Sequence, residues 1–365
     1  MSSTSRSSSS SAPVDAFGLI LAGGGGTRLW PSSRRSRPKQ LLSLGGPESL
    51  LRGSFRRAEA LFGRERTLIV TAADQAAAIR AELPELPAEN VIAEPAARNT
   101  AAAVGLGAAA VARRAGNDAV LAVLPSDAFI GNEAGFARTV ATAVAEARTT
   151  IVTIGIKPTH PETGFGYLHL GPQRGDNVYD VGAFVEKPTL DKAKQYLAAG
   201  TYLWNSGMFF FTAGRMLAEA TRHMPALGEA LAAFVAAPDF DKLVNERYPG
   251  VPATSIDYGI MEKTDGIRVV PGDFGWNDVG SWAALGAIRT ADPAGNVISG
   301  DAVVADSAGN IVVSEEGAPL VGVVGVEDLV VVATRDAVLV VKKKDAQDVK
   351  KIVEALKARG RGDLL

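Results

Sequence analysis

Between Phe17 and Asp127 the chain alternates two textures. Short apolar runs, "FGLILA", "RTLIVTA", "NVIAE" and "AVLAVLPSD", are bounded by turn residues and read as strands buried on both faces. Between them, "SLLRGSFRRAEALFG", "DQAAAIRAEL" and "TAAAVGLGAAAVARRA" have helical length. The alternation predicts βαβ units and a parallel sheet with helices on both faces. Ligands of such sheets collect beyond the carboxyl ends of the strands. Residues 23–28 and 125–127, each directly after a strand, therefore fall on one rim.

Further along, a helical segment over residues 133–148 leads into "TIVTIGI". The runs "GFGYLHL", "VYDVGAFVEKP" and "YLWNSGMFFF" then predict longer, partly antiparallel strands of a second lobe. After Trp282 come valine-rich runs broken by Gly, Asp and Asn, followed by a charged segment, "AQDVKKIVEALKARG". This texture predicts a small all-β, solenoid-like layer closed by a helix. The expected division is a disordered tail over residues 1–15, an α/β domain over 16–288 and a C-terminal domain over 289–365, with "RTADPAGN" as linker.

Composition narrows the class. A chain of 365 residues that is 47% hydrophobic with a net charge of −2 can bury a large core, and it lacks the basic excess of a nucleic-acid or anionic-membrane binder. Cysteine is absent, which removes disulfides, thiolate nucleophiles and cysteine-ligated zinc. The serine-rich start has no apolar segment of signal-peptide length, and no later run is long enough to span a bilayer, so a cytoplasmic location is expected. His160, His169 and His223 show no metal-ligand spacing and are read as structural or exposed.

The chemistry begins at "LILAGGGGTRLWPSSRRSRPKQ". It fits neither GxGxxG nor GxxxxGK[ST], since Thr27 and Arg28 follow Gly26. What remains is a strand and a bare glycine loop whose N–H groups can approach an anion, with Arg28 and Lys39 supplying charge. These two are expected to bind phosphate. Arg34, Arg35 and Arg37 crowd a polar, proline-bounded segment and are expected to be solvated. Asp127, after an apolar strand, and Asp278, in "GWNDVGSW", are either a carboxylate pair for Mg2+ over a polyphosphate or turn and cap residues; spacing leaves both readings open.

The succession "LILAGGGGTRLWPSSRRSRPKQ", "AEPAARNTAAAVGLG", "LPSDAFI", "IKPTHPETGFGYLHLG", "FVEKPTLDKAKQYLAAGTYLWNSGMFFF", "SIDYGIMEK" and "FGWNDVGSW" resembles bacterial mannose-1-phosphate guanylyltransferases, members of the sugar nucleotidyltransferases. The resemblance runs from Leu19 to the C-terminal helix. It implies a Rossmann-like nucleotidyltransferase domain with a mixed sheet, followed by a small left-handed β-helix domain. The implied activity is transfer of GMP from GTP to mannose 1-phosphate, giving GDP-mannose and pyrophosphate, with Mg2+ as cofactor and a homodimer as the expected assembly. The chain ends at Leu365, and the isomerase module that some members carry after the β-helix is not expected.

Carried over by motif, Leu21, Ala22, Gly23, Gly24, Gly26 and Thr27 would embrace the nucleotide. Arg28 would meet the β- and γ-phosphates, Lys39 the α-phosphate, and Asp127 and Asp278 the metal. Glu94, at a strand end on the ligand rim, is positioned to accept the two N–H donors that distinguish guanine, or is an ordinary polar residue there. Arg98 and Asn99 would assist, although Asn99 also suits the cap of the following helix. For the sugar phosphate, Glu186 would accept mannose hydroxyls and Lys187 neutralise the phosphate, while Gly164 and Asn205 resemble sugar-contacting positions. Two departures stand out. Ala128 replaces the usual histidine after Asp127, which bears on metal geometry or rate, and Ala102 stands near a usual proline. Another sugar or nucleotide specificity, and a weakly active regulator that binds sugar nucleotides, are the competing readings.

Overall fold

A computed structural model describes residues 15–365, so the tail expected over residues 1–15 lies, apart from Asp15, outside the described residues. The strands of the larger part are β1 (Ala16–Ala22), β2 (Thr67–Ala72), β3 (Val91–Glu94), β4 (Val120–Pro125), β5 (Phe129–Ile130), β6 (Val152–Ile156), β7 (Tyr167–Gly175), β8 (Val178–Val185), β9 (Tyr202–Thr212), β10 (Arg268–Gly272) and β11 (Trp276–Asn277). All but β5 and β11 form one mixed sheet in the order β3-β2-β1-β4-β9-β6-β10-β8-β7. The β3-β2-β1-β4 portion is parallel, as the alternation predicted.

Beyond β4 the sheet departs from the expected second lobe. β9 is long enough to serve two neighbours along one edge. Residues 209–212 pair antiparallel with β4, while Trp204, Leu203 and Tyr202 pair with Tyr167, Leu168 and His169 of β7. Its other edge pairs with β6. The longer strands therefore continue the first sheet and curl back on it, and Leu168, Leu203 and Val269 form a small core among them.

Strand periodicity places the two main cores. Phe17 and Leu19 of β1 face one apolar cluster with the Asn99–Ala115 helix; Ala16, Ile20 and Ala22 face another with the Leu50–Phe62 helix. The first helix is alanine- and glycine-rich because it lies hard against the sheet: a Cβ on Gly107 would come within 2.3 Å of Leu19.

The C-terminal part stacks β12 (Val297–Ser299), β14 (Ile311–Ser314) and β16 (Leu329–Ala333) in one parallel ladder, and β13 (Ala302–Ala305) and β15 (Val321–Val324) in another. β17 (Val338–Lys342) runs antiparallel to β16. The coil turns are tied internally. Buried Asn310 donates to Asn296 Oδ1 at 3.1 Å, and its own Oδ1 accepts from Leu329 N at 2.9 Å. The Lys350–Ala358 helix closes the layer. Among the described residues no helix is long and apolar enough to cross a membrane.

The two parts share a core. Leu29, Trp30, Leu42 and Trp282 cluster with Ile311, Val330, Val349 and Val353. Around it Arg34 pairs with Asp336 at 2.9 Å and Arg37 with Glu315 at 3.1 Å. The expectation that Arg34 is solvated is thereby corrected, since its side chain is only 13% exposed, while Arg37 stays exposed as expected although it is paired. Their partners lie about 300 residues away in sequence, beyond any local reading. Arg35 remains exposed.

Candidate active site

The carboxyl ends of β1 and β4 and residues 205–207 within β9 line a cavity of about 530 Å3. The glycine loop after β1 forms one wall. Its conformation is set at Gly26, where φ is +57° and a Cβ would stand 2.4 Å from Lys39 Cβ. Only glycine tolerates both conditions. Ser33 Oγ donates to the Gly26 carbonyl at 2.8 Å, and buried Gln40 donates from Nε2 to the Ala22 carbonyl at 3.1 Å. The loop is thus pinned at both ends. A Cβ on Gly24 or Gly25 would meet nothing within 4 Å, so the backbone faces open space between the pins.

Asp127 and Asp278 meet through a device that neither local sequence announced. β5 and β11 form a two-stranded antiparallel ribbon in which Phe129 faces Asn277, so Asp127, two residues before Phe129, and Asp278, directly after Asn277, lie at the same end of the ribbon. The ribbon ends in a tight turn. Asn277 Oδ1 accepts from Val279 N at 2.8 Å, and buried Val279 sits at φ +47°, a left-handed conformation rare for a β-branched residue. Lys39 spans the result, donating from Nζ to Asp127 Oδ2 at 2.7 Å and to the Asp278 carbonyl at 2.6 Å. Burial pushes the Asp278 carboxyl above its usual range, Lys39 pulls it down, and the charge of Asp127 raises it again. Lys39 is therefore committed within the site. Arg28 lines the cavity with no side-chain partner among the described residues.

The same cavity is lined by a second acidic group, Glu186 and Asp257. Glu186 projects into space that a Cβ on Gly166 would fill at 2.6 Å, and its carboxylate accepts from Lys187. Asn205, 8% exposed, receives Thr153 Oγ1 on Oδ1 at 3.1 Å and donates from Nδ2 to Asp257 Oδ1 at 3.1 Å. Burial, then the charge of Glu186, pushes the Asp257 carboxyl up to about 6. A polyol recognised here would find carboxylate acceptors held by an amide and an ammonium.

Most of the residues expected from sequence line this one cavity: Leu21, Gly23, Gly24, Gly26, Thr27, Arg28, Lys39, Asp127, Gly164, Glu186, Asn205 and Asp278. Ala22, Glu94, Arg98, Asn99 and Lys187 are not in its lining. Glu94 lies just behind the loop, with Oε2 3.8 Å from a Cβ built on Gly23 and its other oxygen accepting from the Tyr248 hydroxyl. Its carboxyl is raised by burial and lowered by that hydrogen bond. Arg98 donates to the Pro249 carbonyl. Asn99 begins its helix at φ +63° instead of capping it, and its Oδ1 accepts from Thr100 N at 2.8 Å. Lys187 is half exposed and lies 6.0 Å over the Tyr258 ring. None of the three histidines lines the cavity.

Sequence reading missed Gln40, Asp257, Trp276 and Lys350, all of which line it. Asp257 sits within "SIDYGIMEK", where a lone carboxylate gave no sign of the Asn205 contact made across 52 residues.

A doubly covered sheet with a glycine loop, spaced cations and paired carboxylates at its strand ends defines a nucleotide-handling transferase site. Residues 17–294 match the family model described as Nucleotidyl transferase, and residues 300–356 match the MannoseP isomerase/GMP-like beta-helix domain. The chain belongs to the sugar nucleotidyltransferase family and carries that family's enzyme domain, followed by the β-helix-like domain. It is 42% identical to the xanthan biosynthesis protein XanB of Xanthomonas campestris pv. campestris, over 96% of this chain and 75% of that protein. It is 40% identical to a mannose-1-phosphate guanylyltransferase of Escherichia coli K12, over 94% of this chain and 74% of that one. A solved structure described as mannose-1-phosphate geranyltransferase from Thermus thermophilus superposes with a TM-score of 0.85 at 38% identity, covering 94% of this chain and 99% of that one.

Proposed function

We propose that this nucleotidyltransferase makes GDP-mannose, transferring GMP from GTP to mannose 1-phosphate and releasing pyrophosphate. The observation that carries the reading is the set of groups that share one cavity: the glycine-loop backbone with Arg28, Lys39 with an aspartate pair, and the Glu186 and Asp257 acceptors. The likeness to relatives named mannose-1-phosphate guanylyltransferases supports the choice of substrates.

In this reading a phosphate oxygen of mannose 1-phosphate attacks the α-phosphorus of GTP in line. A new P–O bond forms, the bond from the α-phosphorus to the oxygen bridging to the β-phosphorus breaks, and pyrophosphate leaves with that electron pair. Both reactants are anions, so alignment and charge neutralisation dominate and no side chain need remove a proton. Lys39 neutralises the α-phosphate where the two substrates meet. Arg28 holds the leaving phosphates, and the loop N–H groups hold the nucleotide. Glu186 and Asp257 accept hydroxyls of the sugar, with Asn205 orienting Asp257.

The aspartate pair suits Mg2+, which takes one or two carboxylates and completes its shell with water and phosphate oxygens. Burial and mutual repulsion raise Asp278, a strain that a cation relieves. Among the described residues no third carboxylate or histidine joins the pair, so Asp127 and Asp278 are the groups that would hold the ion. When bound, it spreads the negative charge of the phosphates. Glu94 reads guanine through Oε2, and the molecule acts as a cytoplasmic homodimer.

The test is product analysis with GTP labelled at the α-phosphorus. Label appearing in GDP-mannose, with unlabelled pyrophosphate released in equal amount, is expected; label retained in GTP or released as free GMP contradicts the reading.

A further inference from the structure

Lys350 opens the C-terminal helix and lines the catalytic cavity from the far part of the molecule; every other lining residue lies between Leu21 and Gly280. Its position is fixed by its neighbours. Val349 and Val353 are buried, 1% and 6% exposed, in the same apolar cluster as Leu29 and Trp30, the two residues that follow Arg28. The Leu364 carbonyl accepts from Trp30 Nε1 at 2.9 Å, fastening the end of the chain to the same segment. The backbone that carries Lys350 and the backbone that carries Arg28 are thus one packed unit.

The two cations are also alike in being uncommitted. Lys39 is held by Asp127 and the Asp278 carbonyl, and Lys351, the neighbour of Lys350, is paired with Asp348 at 2.8 Å. Lys350 is exposed and, among the described residues, has no ion-pair partner, although four carboxylates line the same cavity. A lysine and an arginine presented to one cavity by a shared core, neither satisfied by protein, form a cleft for a polyanion.

We propose that Lys350 contacts the terminal phosphates of the nucleotide and the pyrophosphate that leaves, so that the β-helix domain completes the substrate site. This rests on the nucleotidyl-transfer reading above. The contact falls on the part that all nucleoside triphosphates share. It adds affinity for phosphate and selects neither base nor sugar.

The reverse reaction isolates the contact, because pyrophosphate is then a separate substrate. Lys350→Ala in the full chain is expected to raise the KM for pyrophosphate about tenfold, while the KM for GDP-mannose stays within about twofold, as the loss of one charge-assisted hydrogen bond predicts. Lys350→Arg restores most of the loss, and Lys351→Ala behaves as wild type. Calorimetric titration with magnesium pyrophosphate reads the same weakening without turnover. An unchanged KM for pyrophosphate in Lys350→Ala overturns the proposal, and so does an equal rise in both Michaelis constants. If the wild-type chain neither makes nor consumes GDP-mannose, the parent reading fails; weaker pyrophosphate binding by Lys350→Ala in the titration would still support the contact.

Discussion

Single carboxylates in this molecule acquire different chemistry from what surrounds them. Glu94 is 8% exposed, shares one oxygen with Tyr248 and keeps the other toward Gly23. A glutamine there has only one acceptor oxygen, so Glu94→Gln should lower kcat/KM for GTP by roughly 30-fold, about 2 kcal/mol, and narrow the preference over ATP. Initial rates with the two nucleotides check this; an unchanged preference would reduce Glu94 to a partner of Tyr248. Asp257 offers a second reading, through pH. Burial and Glu186 raise it from 3.8 to about 6, so between those values the native state binds the proton that the unfolded chain has released. Stability contributed by this group is therefore lost as pH rises from about 4 to about 6. Asp257→Asn should flatten that decline, seen as a smaller drop in denaturation midpoint than wild type across the window. Equal drops in both proteins would mean that Asp257 is not raised.

At the scale of elements, the strands and helices before Asp127 were legible because each satisfies a local pattern: a continuous apolar run for β1, β2 and β4, and small residues at helical spacing for Asn99–Ala115. The glycine loop was legible as a turn at a strand end that faces a cavity, yet which glycine is indispensable was not. That follows from Lys39 packing against Gly26, a contact made by a residue outside the loop. Gly26→Ala should destabilise the fold by about 1–2 kcal/mol from its left-handed backbone alone, and displace Lys39 besides. Thermal unfolding and kcat should fall together, whereas Gly24→Ala, with open space around it, should leave the melting temperature near wild type. The β5–β11 ribbon escaped sequence reading because two-residue strands have no periodicity to detect. It is nevertheless what brings Asp127 to Asp278.

For the whole molecule, the change of texture after Trp282 signalled the β-helix layer, but its service to the catalytic part was hidden in long-range contacts. Leu29, Trp30, Val279 and Trp282 are buried in the core they share with Val330, Val332 and Val353. Each large apolar side chain contributes about 2 kcal/mol on burial, so a handful matches the roughly 5–15 kcal/mol by which a domain is stable. A chain lacking residues 289–365 should lose its cooperative thermal transition, which circular dichroism would show; a sharp transition at the full-length temperature would contradict the shared core. The central claim joins all three scales: one cavity, assembled from a loop, a ribbon and two packed parts, in which guanine nucleotide and mannose 1-phosphate react. Its most direct test is pyrophosphate release by the full chain across nucleoside triphosphates and sugar 1-phosphates. The highest kcat/KM should fall on GTP with mannose 1-phosphate, and a higher value for any other pair would contradict the account.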